Sequence, residues 1–369
     1  MTRDPFALAD TLGPFQILHV HRPALGLKGI VVVDNVACGP AIGGIRMAAD
    51  ASLEECFRLA RAMTFKNAAA GLPHGGGKAV IIADPRMPPE AKERHIRAFA
   101  DAIASLQTYI PGPDMGTDER CMAWVKDEIG RAVGLPRELG GIPLDEIGAT
   151  GFGLAAAIDV ARASIGLELK GARVAIQGYG AVGRHAATFL AGMGAVIVAA
   201  SDTSGTLVAD DGLDIAALTA LKLRGGALVD AERGDKRAAA AIIDVPCDIW
   251  IPAARPDVID RGNVERLRTR MVAQGANIPV TPEAEAALAA RGVLVLPDFI
   301  ANAGGVICAA CEYAGATQAA ALATIDERIR ANTRRMLALA RERAIGTRQA
   351  AILMAEERVR AAMALRRWR

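Results

Sequence analysis

The chain has 369 residues, a length that suggests two domains. It is 52% hydrophobic but only 4% aromatic, so small side chains must fill much of its core. Its 43 basic and 41 acidic residues nearly balance, and the charge therefore gives no argument for a nucleic acid or a membrane surface as a partner.

The cysteines and the N-terminal segment bear on the compartment. The six cysteines are scattered and stand mostly in apolar runs, at positions 38, 56, 121, 247, 308 and 311. The segment "MTRDPFALADTLG" has no signal-peptide pattern, and no apolar run reaches the roughly 18 residues of a membrane helix. We therefore expect a soluble, cytoplasmic protein with reduced thiols. Because Cys308 and Cys311 have no second pair beside them, we expect no metal site.

The first third of the chain alternates between strand and helix patterns. Residues 29–34, "GIVVVD", predict a buried strand, and "LEECFRLARAMTFKNAAAG" places apolar residues at helical spacing. The strand "KAVIIAD", the helix "PPEAKERHIRAFADAIASL" and the strand "TYIPGPDMG" follow. The segment "TDERCMAWVKDEIGRAVG" predicts a helix that begins at Thr117 and ends at Gly134. This alternation predicts an α/β sheet.

A segment rich in Gly and Pro, "GLPRELGGIPLDEIGATGFG", separates this part from a second α/β series. Strand patterns in that series are "ARVAIQGYG", "AVIVAASD", "CDIWIPAA", "TRMVAQGAN" and "GVLVLPD". We predict an α/β protein of two domains with a cleft between them. The boundaries place a first α/β domain at 1–147 and a second at 148–325. Helices at 326–369 are expected to pack back on the first domain.

A glycine fingerprint opens the second series. In "VAIQGYGAVGRHAA", Gly178, Gly180 and Gly183 follow the pattern G-x-G-x-x-G between a strand and a helix. These glycines allow a tight turn and a close approach of the backbone to a pyrophosphate at the helix N-terminus. Asp202 stands about twenty residues later, just after the next strand, where it would accept from a ribose 2′-hydroxyl and repel a 2′-phosphate. The pattern predicts NAD as cofactor, with NADP as the weaker alternative because Ser204 could accommodate a phosphate.

Two lysines flank a segment rich in alanine and glycine in "MTFKNAAAGLPHGGGKA". Lys66 is at the end of a predicted helix and Lys78 at the start of a strand, so a glycine loop can bring both ammonium groups to one place. Two close cations destabilise each other and lower a lysine pKa, which suits proton exchange with water. Asp114, in a turn among prolines and a glycine, could carry the proton of a substrate amine. We expect the glycines 75–77 to leave room for substrate against the backbone.

Seven segments appear in an order that resembles the glutamate/leucine/phenylalanine/valine dehydrogenase family. They are "GPAIGGIR", "MTFKNAAAGLPHGGGKA", "PGPDMGTDE", "ATGFG", "VAIQGYGAVG", "VAQGAN" and "LPDFIANAGGVI". The resemblance extends from about residue 26 to residue 315. The first part is most similar to leucine dehydrogenase and the later part to bacterial glutamate dehydrogenase. The resemblance implies reversible oxidative deamination of an L-amino acid to a 2-oxo acid and ammonia, with hydride transfer to a nicotinamide. It also implies that 1–147 is the substrate and dimerisation domain and that 148–325 is a Rossmann-type dinucleotide-binding domain.

The resemblance also implies roles for individual residues. Lys78 matches the catalytic lysine, Asp114 the catalytic aspartate and Lys66 the lysine that binds the substrate α-carboxylate. The positions that match residues near the nicotinamide and the substrate amine are Thr150, Asn277 and Asn302.

The pocket for the substrate side chain is predicted from two positions at which this sequence differs from glutamate dehydrogenases. Glutamate dehydrogenases resemble one another in a lysine directly before the GG of "GGIR" and a serine four residues after the second Gly of "NAGG". Here these positions hold Ile42 and Ala309, so a distal carboxylate would be buried without a partner. With Gly43 and Met63, they predict a pocket for Leu, Val, Ile or Phe.

The leading prediction is an NAD-dependent, homo-oligomeric dehydrogenase of apolar L-amino acids, whose partners are small molecules. One alternative keeps glutamate as substrate, with the cation supplied by another residue. An alternative of another class is a nucleotide-binding regulatory protein without catalysis. The presence of Lys66, Lys78 and Asp114 together disfavours that alternative.

Overall fold

The computed structural model describes residues 6–367 and divides into two compact units. The first unit contains the chain up to Pro143, residues Val306–Leu322 and the residues from Ile352 onward. The second contains Leu144–Gly305 and Ala323–Ala351. Each unit is built on one β-sheet with helices, which confirms the predicted α/β class.

The strands and helices are numbered in chain order. The strands are β1 Gln16–Arg22, β2 Leu27–Asn35, β3 Ala41–Met47, β4 Gly75–Ile81, β5 Tyr109–Pro113, β6 Arg173–Gln177, β7 Val196–Asp202, β8 Gly205–Val208, β9 Asp235–Arg237, β10 Ile249–Pro252, β11 Met271–Ala273 and β12 Leu294–Leu296. The helices are α1 Leu53–Ala69, α2 Pro89–Ala102, α3 Glu119–Ile129, α4 Ala149–Ala161, α5 Ala181–Gly192, α6 Ile215–Leu223, α7 Pro282–Ala290, α8 Asp298–Ala301, α9 Gly304–Tyr313, α10 Gln318–Arg343 and α11 Thr347–Ala364.

The sheet of the first unit has the strand order β1-β2-β4-β3-β5. Strands β3, β4 and β5 are parallel. At one edge β2 pairs antiparallel with β4, and β1 pairs antiparallel with β2. The run of valines in β2 is buried on both faces because successive side chains alternate. Val31 and Val33 join the core with Phe99 of α2, whereas Ile30 and Val32 pack with α1. The predicted strand at 29–34 is therefore an inner strand of a sheet covered on both sides.

The glycine run in β4 serves close packing within the protein. A Cβ on Gly75 would lie 1.8 Å from the carbonyl oxygen of Asn35, and one on Gly76 would lie 2.0 Å from the backbone nitrogen of Thr64. At Gly77 the space is taken by the ring of Tyr109. The expectation that these glycines leave room for substrate was wrong, because the protein itself fills that space.

The sheet of the second unit has the order β12-β11-β10-β6-β7-β8-β9. The first five strands of this order are parallel, and the strand order reverses between β6 and β10. In open parallel sheets, ligands bind at the carboxyl ends of the strands beside such a reversal. The glycine fingerprint follows β6 at that point.

Two local predictions need correction. Strand β3, which carries "GGIR", lies between β4 and β5 but was not predicted as a strand. Helix α3 begins after Asp118, whose carboxylate accepts from the backbone N–H of Cys121, and it ends at Gly130 with a φ of 73°. Thr117, which was expected to cap this helix, instead donates its hydroxyl to the carbonyl of Ile45.

The C-terminal part is divided differently from the predicted boundary. Residues 306–322 group with the first unit, where Glu312 accepts two backbone hydrogen bonds from the loop at 135–142. Residues 323–351 group with the second unit, where Arg330 pairs with an aspartate of α4. Residues 326–351 therefore do not follow the expectation that all C-terminal helices pack on the first domain.

Candidate active site

Alternation along β3 and β4 places the predicted catalytic lysine on the face of the sheet that α1 covers. Ala79 and Ile81 point into the core beside α2 and α3, whereas Val80 packs with α1. Lys78 shares the α1 side with Val80, and the backbone carbonyl of Lys78 accepts from the thiol of Cys56 in α1. The lysine is 4% exposed, which is unusual for this residue type unless it is paired.

Asp114 follows β5 and has a cation on each carboxylate oxygen. The Nζ of Lys78 lies 2.6 Å from Oδ1, and the Nε of Arg46 lies 2.8 Å from Oδ2. Its backbone N–H donates to the hydroxyl of Thr117, which fixes the turn that carries the carboxylate. The structure therefore brings the two predicted catalytic residues together and adds Arg46, a residue of the "GGIR" segment whose role the sequence did not reveal.

Burial is the largest influence on both members of this pair. It would raise the pKa of Asp114, but the charges of Lys78 and Arg46 outweigh it and hold that pKa below its usual value. Burial is also the largest influence on the pKa of Lys78 and lowers it, Asp114 raises it and Arg46 lowers it, so that the pKa stays below its usual value. The expected lowering of the Lys78 pKa is present, but its main cause is burial rather than a second lysine.

Arg46 is itself held by a second carboxylate. Its Nη1 lies 2.5 Å from Oε1 of Glu55 in the first turns of α1, so acidic and basic groups alternate from Glu55 through Arg46 and Asp114 to Lys78. Glu55 is also placed by the capping hydroxyl of Ser52, which accepts from its backbone N–H. The alternation of charges keeps the cluster electrically balanced.

The last turn of α1 carries Lys66, whose neighbour Asn67 attaches the helix to the sheet. The amide of Asn67 donates to the carbonyl of Gly75 at 2.7 Å. Arg358 of α11 donates to the carbonyl of Ala68 in the last turn of α1 and to the carbonyl of Leu72 just after the helix, which places a cation at the C-terminus of α1. These contacts fix the backbone at Lys66, the predicted carboxylate-binding residue.

The predicted pocket residues all belong to the first unit. Ile42 is 3% exposed in β3, Ala309 is 8% exposed in α9, and Met63 is half-buried in α1. Gly43 allows a close approach of β3 and β4, because a Cβ there would lie 1.7 Å from the carbonyl oxygen of Gly77. The hydroxyl of Tyr109 donates to the Gly43 carbonyl at 2.7 Å, so the need for glycine at 43 is explained by packing.

The three glycines of the fingerprint have the geometry that a dinucleotide needs. Gly178 has a φ of +91°, and a Cβ on Gly183 would lie 2.0 Å from the carbonyl oxygen of Gly178. Gly180 stands directly before α5, and no atom lies within 4 Å of the position its Cβ would take. One glycine thus makes the turn, another allows the helix to pack, and the open face at Gly180 leaves room for a pyrophosphate.

The other predicted cofactor residues lie at the same edge of this sheet. Thr150 is in the first turn of α4 and lines a small hollow together with Ala181 and Val182 at the start of α5. Asn277 follows β11, and its Oδ1 accepts from the amide of Asn302 at 3.0 Å. The Oδ1 of Asn302 is buried without a hydrogen-bond partner among the described residues, so this oxygen could accept a hydrogen bond from a ligand.

Asp202, at the end of β7, is already engaged. Its Oδ2 accepts from the ammonium of Lys222 at 2.7 Å and from the backbone N–H of Leu228, and its Oδ1 accepts from Ser204. Burial opposes ionisation, but the hydrogen bonds from Lys222 and Ser204 outweigh it and lower the Asp202 pKa to about 2. The partner Lys222 was not found in the sequence, since nothing in its spacing from Asp202 identifies the pair.

Neither a metal site nor a membrane helix is found where the structure describes the chain. Within residues 6–367, no three His, Cys, Asp or Glu side chains group so that they could hold a metal ion. None of the helices in this part is both long and apolar enough to cross a bilayer.

Two family models cover most of the sequence. Residues 14–131 match the model described as Glu/Leu/Phe/Val dehydrogenase, dimerisation domain, and residues 140–367 match Glutamate/Leucine/Phenylalanine/Valine dehydrogenase. The chain belongs to this family. The resemblance predicted from the motifs is confirmed, and the protein is an amino-acid dehydrogenase, an oxidoreductase acting on CH–NH₂ donors with a nicotinamide dinucleotide.

Named relatives extend this result. The glutamate dehydrogenase of Aeropyrum pernix is 37% identical over 322 residues, which are 82% of this chain and 77% of the relative. The NADP(+)-dependent glutamate dehydrogenase of Pyrobaculum calidifontis is 41% identical over 305 residues, 78% of this chain and 72% of the relative. The hetero-hexameric glutamate dehydrogenase of Thermus thermophilus, in a leucine-bound form, matches with a TM-score of 0.87 and 29% identity over 96% of this chain and 90% of that one.

Replacement of Arg46 by Gln should move the acidic limb of the kcat/KM profile to higher pH. The pKa of Asp114 and that of Lys78 both rise when this cation is lost, so a higher pH is needed for the ionised carboxylate and for the neutral amine. Arg46→Lys keeps the charge and should shift the limb less. Arg86→Gln, which removes an exposed arginine paired with Asp84, is the matched control. An acidic limb that stays in place or moves to lower pH in Arg46→Gln would contradict the inference that Arg46 lowers the pKa of Asp114 and of Lys78.

Proposed function

We propose that Lys78, Asp114 and Lys66 perform the deamination chemistry of this amino-acid dehydrogenase. The observation that carries the proposal is the ion pair of 2.6 Å between Lys78 and Asp114, buried under α1 and joined by Arg46. A lysine and an aspartate in this setting can exchange protons because burial has moved the lysine pKa downward. For stability alone, apolar residues of similar size often serve as well as a buried ion pair, and this disfavours the alternative without catalysis.

Each side chain has a distinct task in this proposal. Lys66 holds the substrate α-carboxylate at the end of α1. Asp114 takes and returns the proton of the substrate amine. Lys78 in its charged form stabilises the developing oxyanion of the carbinolamine, and in its neutral form it takes a proton from the attacking water. Two forms of one lysine are accessible near working pH only if its pKa is lowered.

The second unit has the features needed to hold the dinucleotide, which accepts the hydride. The open face of Gly180 and the N-terminus of α5 suit the pyrophosphate. Thr150, Asn277 and Asn302 would hold the nicotinamide end, since the unpartnered Oδ1 of Asn302 can accept from a carboxamide.

The names of the relatives favour L-glutamate as substrate. The curated relatives from Aeropyrum pernix and Pyrobaculum calidifontis are both glutamate dehydrogenases, and so is the solved structure from Thermus thermophilus. These names back the glutamate alternative better than they back the apolar amino acid predicted first. If glutamate is the substrate, a cationic residue at a position other than 42 would have to pair with its distal carboxylate.

The pocket residues favour an apolar amino acid instead, and we propose this as the substrate class. Ile42 and Ala309 are both buried, and neither offers a charge or a hydroxyl. A carboxylate buried without a partner costs several kcal/mol even after relaxation. Leu, Val, Ile or Phe would bury only hydrocarbon there, and discrimination among them is worth about 1–3 kcal/mol per methylene, so some breadth is expected.

We also propose that the enzyme is a homo-oligomer. Residues 14–131 match a model described as a dimerisation domain, and the relative from Thermus thermophilus is hexameric. Light scattering of the native protein tests this point, and a monomer at assay concentration would contradict it.

A panel of L-amino acids separates the two substrate proposals. We expect kcat/KM for L-leucine to exceed that for L-glutamate by about a hundredfold, because each 1.4 kcal/mol is a factor of ten. Ile42→Lys combined with Ala309→Ser should narrow this gap by supplying partners for the distal carboxylate, whereas the control Ile42→Leu should leave it. If the wild-type enzyme prefers L-glutamate, the apolar pocket is refuted and the glutamate alternative stands.

For the cofactor we propose NAD rather than NADP, because Asp202 would face a 2′-phosphate. Lys222 screens this charge, so we expect two substitutions to act in opposite directions. Asp202→Asn should raise the ratio of NADP to NAD use about tenfold, and Lys222→Met should lower it. The name of the Pyrobaculum calidifontis relative makes NADP the alternative. A wild-type enzyme with higher kcat/KM for NADP would overturn the NAD proposal.

A further inference from the structure

A strained residue stands next to Asn277, one of the residues proposed to hold the nicotinamide. Ile278 has a φ of +44°, in the left-handed region that a β-branched side chain rarely adopts. The residue is 37% exposed, so core packing does not impose this conformation. Strain of this kind persists where surrounding groups hold it, and it clusters at functional sites.

Two hydrogen bonds hold Ile278 in this conformation. Its backbone N–H donates to Oδ2 of Asp298 at 2.8 Å, and its carbonyl accepts from the backbone N–H of Asp257 at 3.0 Å. Asp298 is 7% exposed and follows β12, at the same sheet edge as the loop after β11. A buried carboxylate of α8 therefore sets the path of the loop that carries Asn277.

Arg348 of α11 holds Asp298 in turn. Its Nη1 lies 3.0 Å from Oδ1 of Asp298, while its Nε and Nη2 pair with the two oxygens of Glu285 at 2.7 Å each. Its Nη2 also donates to Oε1 of Gln274, which is fully buried just after β11. One planar guanidinium thus joins the ends of two neighbouring strands and α7, a task that the fork of arginine performs and a lysine does not.

The outcome of this arrangement is a preformed amide pair. Asn302 donates from Nδ2 to the carbonyls of Gly275 and Ala276 and to Oδ1 of Asn277. The bond to Asn277 requires the loop to turn at Ile278, since the next residues continue into a bridge between Val280 and Ile259. The two amides are thereby oriented before any ligand binds.

We propose that Asp298 and Arg348 are positioning residues for hydride transfer, which hold Ile278 in its left-handed conformation and so orient Asn277 and Asn302 toward the nicotinamide. This inference rests on the proposed dinucleotide site. The residues touch no reacting atom in this proposal and act through the loop. Misplacement of a reacting group by about 1 Å can cost about a hundredfold in rate.

The test uses the full-length enzyme and Asp298→Asn, which keeps the size of the side chain but removes its charge. We expect kcat to fall about tenfold or more and the primary isotope effect on kcat from an α-deuterated amino acid to rise, because hydride transfer becomes slower than the other steps. ADP-ribose, which lacks the nicotinamide, should bind with an affinity within about twofold of the wild type. Arg348→Lys should show the same changes in smaller measure.

Rescue distinguishes positioning from general damage. Glycine adopts positive φ without an anchor, so Ile278→Gly introduced into Asp298→Asn should recover about threefold or more of kcat. Asp244→Asn, which breaks an exposed pair with Arg266 in the same unit, is the matched control and should behave as wild type.

The inference is overturned if Asp298→Asn keeps wild-type kcat and isotope effect, if ADP-ribose affinity falls in parallel with kcat, or if Ile278→Gly gives no rescue. Wild-type enzyme that binds neither ADP-ribose nor a nicotinamide dinucleotide would instead refute the proposed cofactor site. The two failures are therefore distinguishable.

Discussion

The placement of Asp114 between two cations is the constraint on which the first unit depends. Its carboxylate meets Lys78 on one oxygen and Arg46 on the other, and all three groups are largely withdrawn from water. Removing one partner of a buried pair typically costs about 3–5 kcal/mol, because the other charge is left uncompensated. The three strands that carry these residues must therefore keep one register, and the packing around them achieves this. Gly76 lets α1 approach β4, Gly43 lets β3 approach β4, and the Tyr109 ring covers Gly77 from the other face. The glycines of β3 and β4 thus allow tight packing, and this packing supports the buried charge cluster.

In the second unit, the residues proposed to bind the dinucleotide lie at the carboxyl ends of the strands rather than on a face of the sheet. Parallel strands end together, so the loops after β6, β7, β11 and β12 share one edge and can converge on one ligand. The hydrogen bonds of this edge come from side chains far apart in sequence. Asp202 is neutralised by Lys222, and Asp298 is held by Arg348. The same device, a carboxylate with a fixed cation, thus recurs in both units. In one it is proposed to take part in proton transfer, and in the other to fix a loop.

Much of this fold could be predicted from local patterns. The fingerprint around Gly178 and the strand at 29–34 followed from sequence patterns, and the family resemblance pointed to Lys78 and Asp114 as separate residues. The ion pair between these two side chains is visible only in the structure. Residues that act through long-range pairing could not be found in this way. Arg46 stands in a strand that the glycines 43 and 44 disguise, since glycine weakens a strand pattern. Lys222 and Arg348 are common helix residues whose partners become known only when the chain has folded. The error at glycines 75–77 has a related cause, because a glycine signals a close approach without saying what approaches.

The most direct test of the central claim is a single-turnover measurement of hydride transfer in Asp114→Asn. The variant should bind the dinucleotide as the wild type does, because Asp114 lies in the first unit and the glycine fingerprint in the second. We expect reduced nicotinamide to form at least about a hundredfold more slowly, which is the low end of what a lost proton-transfer group costs. Asp84→Asn, an exposed aspartate in the same unit, serves as the matched control. Hydride transfer in Asp114→Asn within about threefold of the wild-type rate would contradict the account, because the buried cluster would then be structural only.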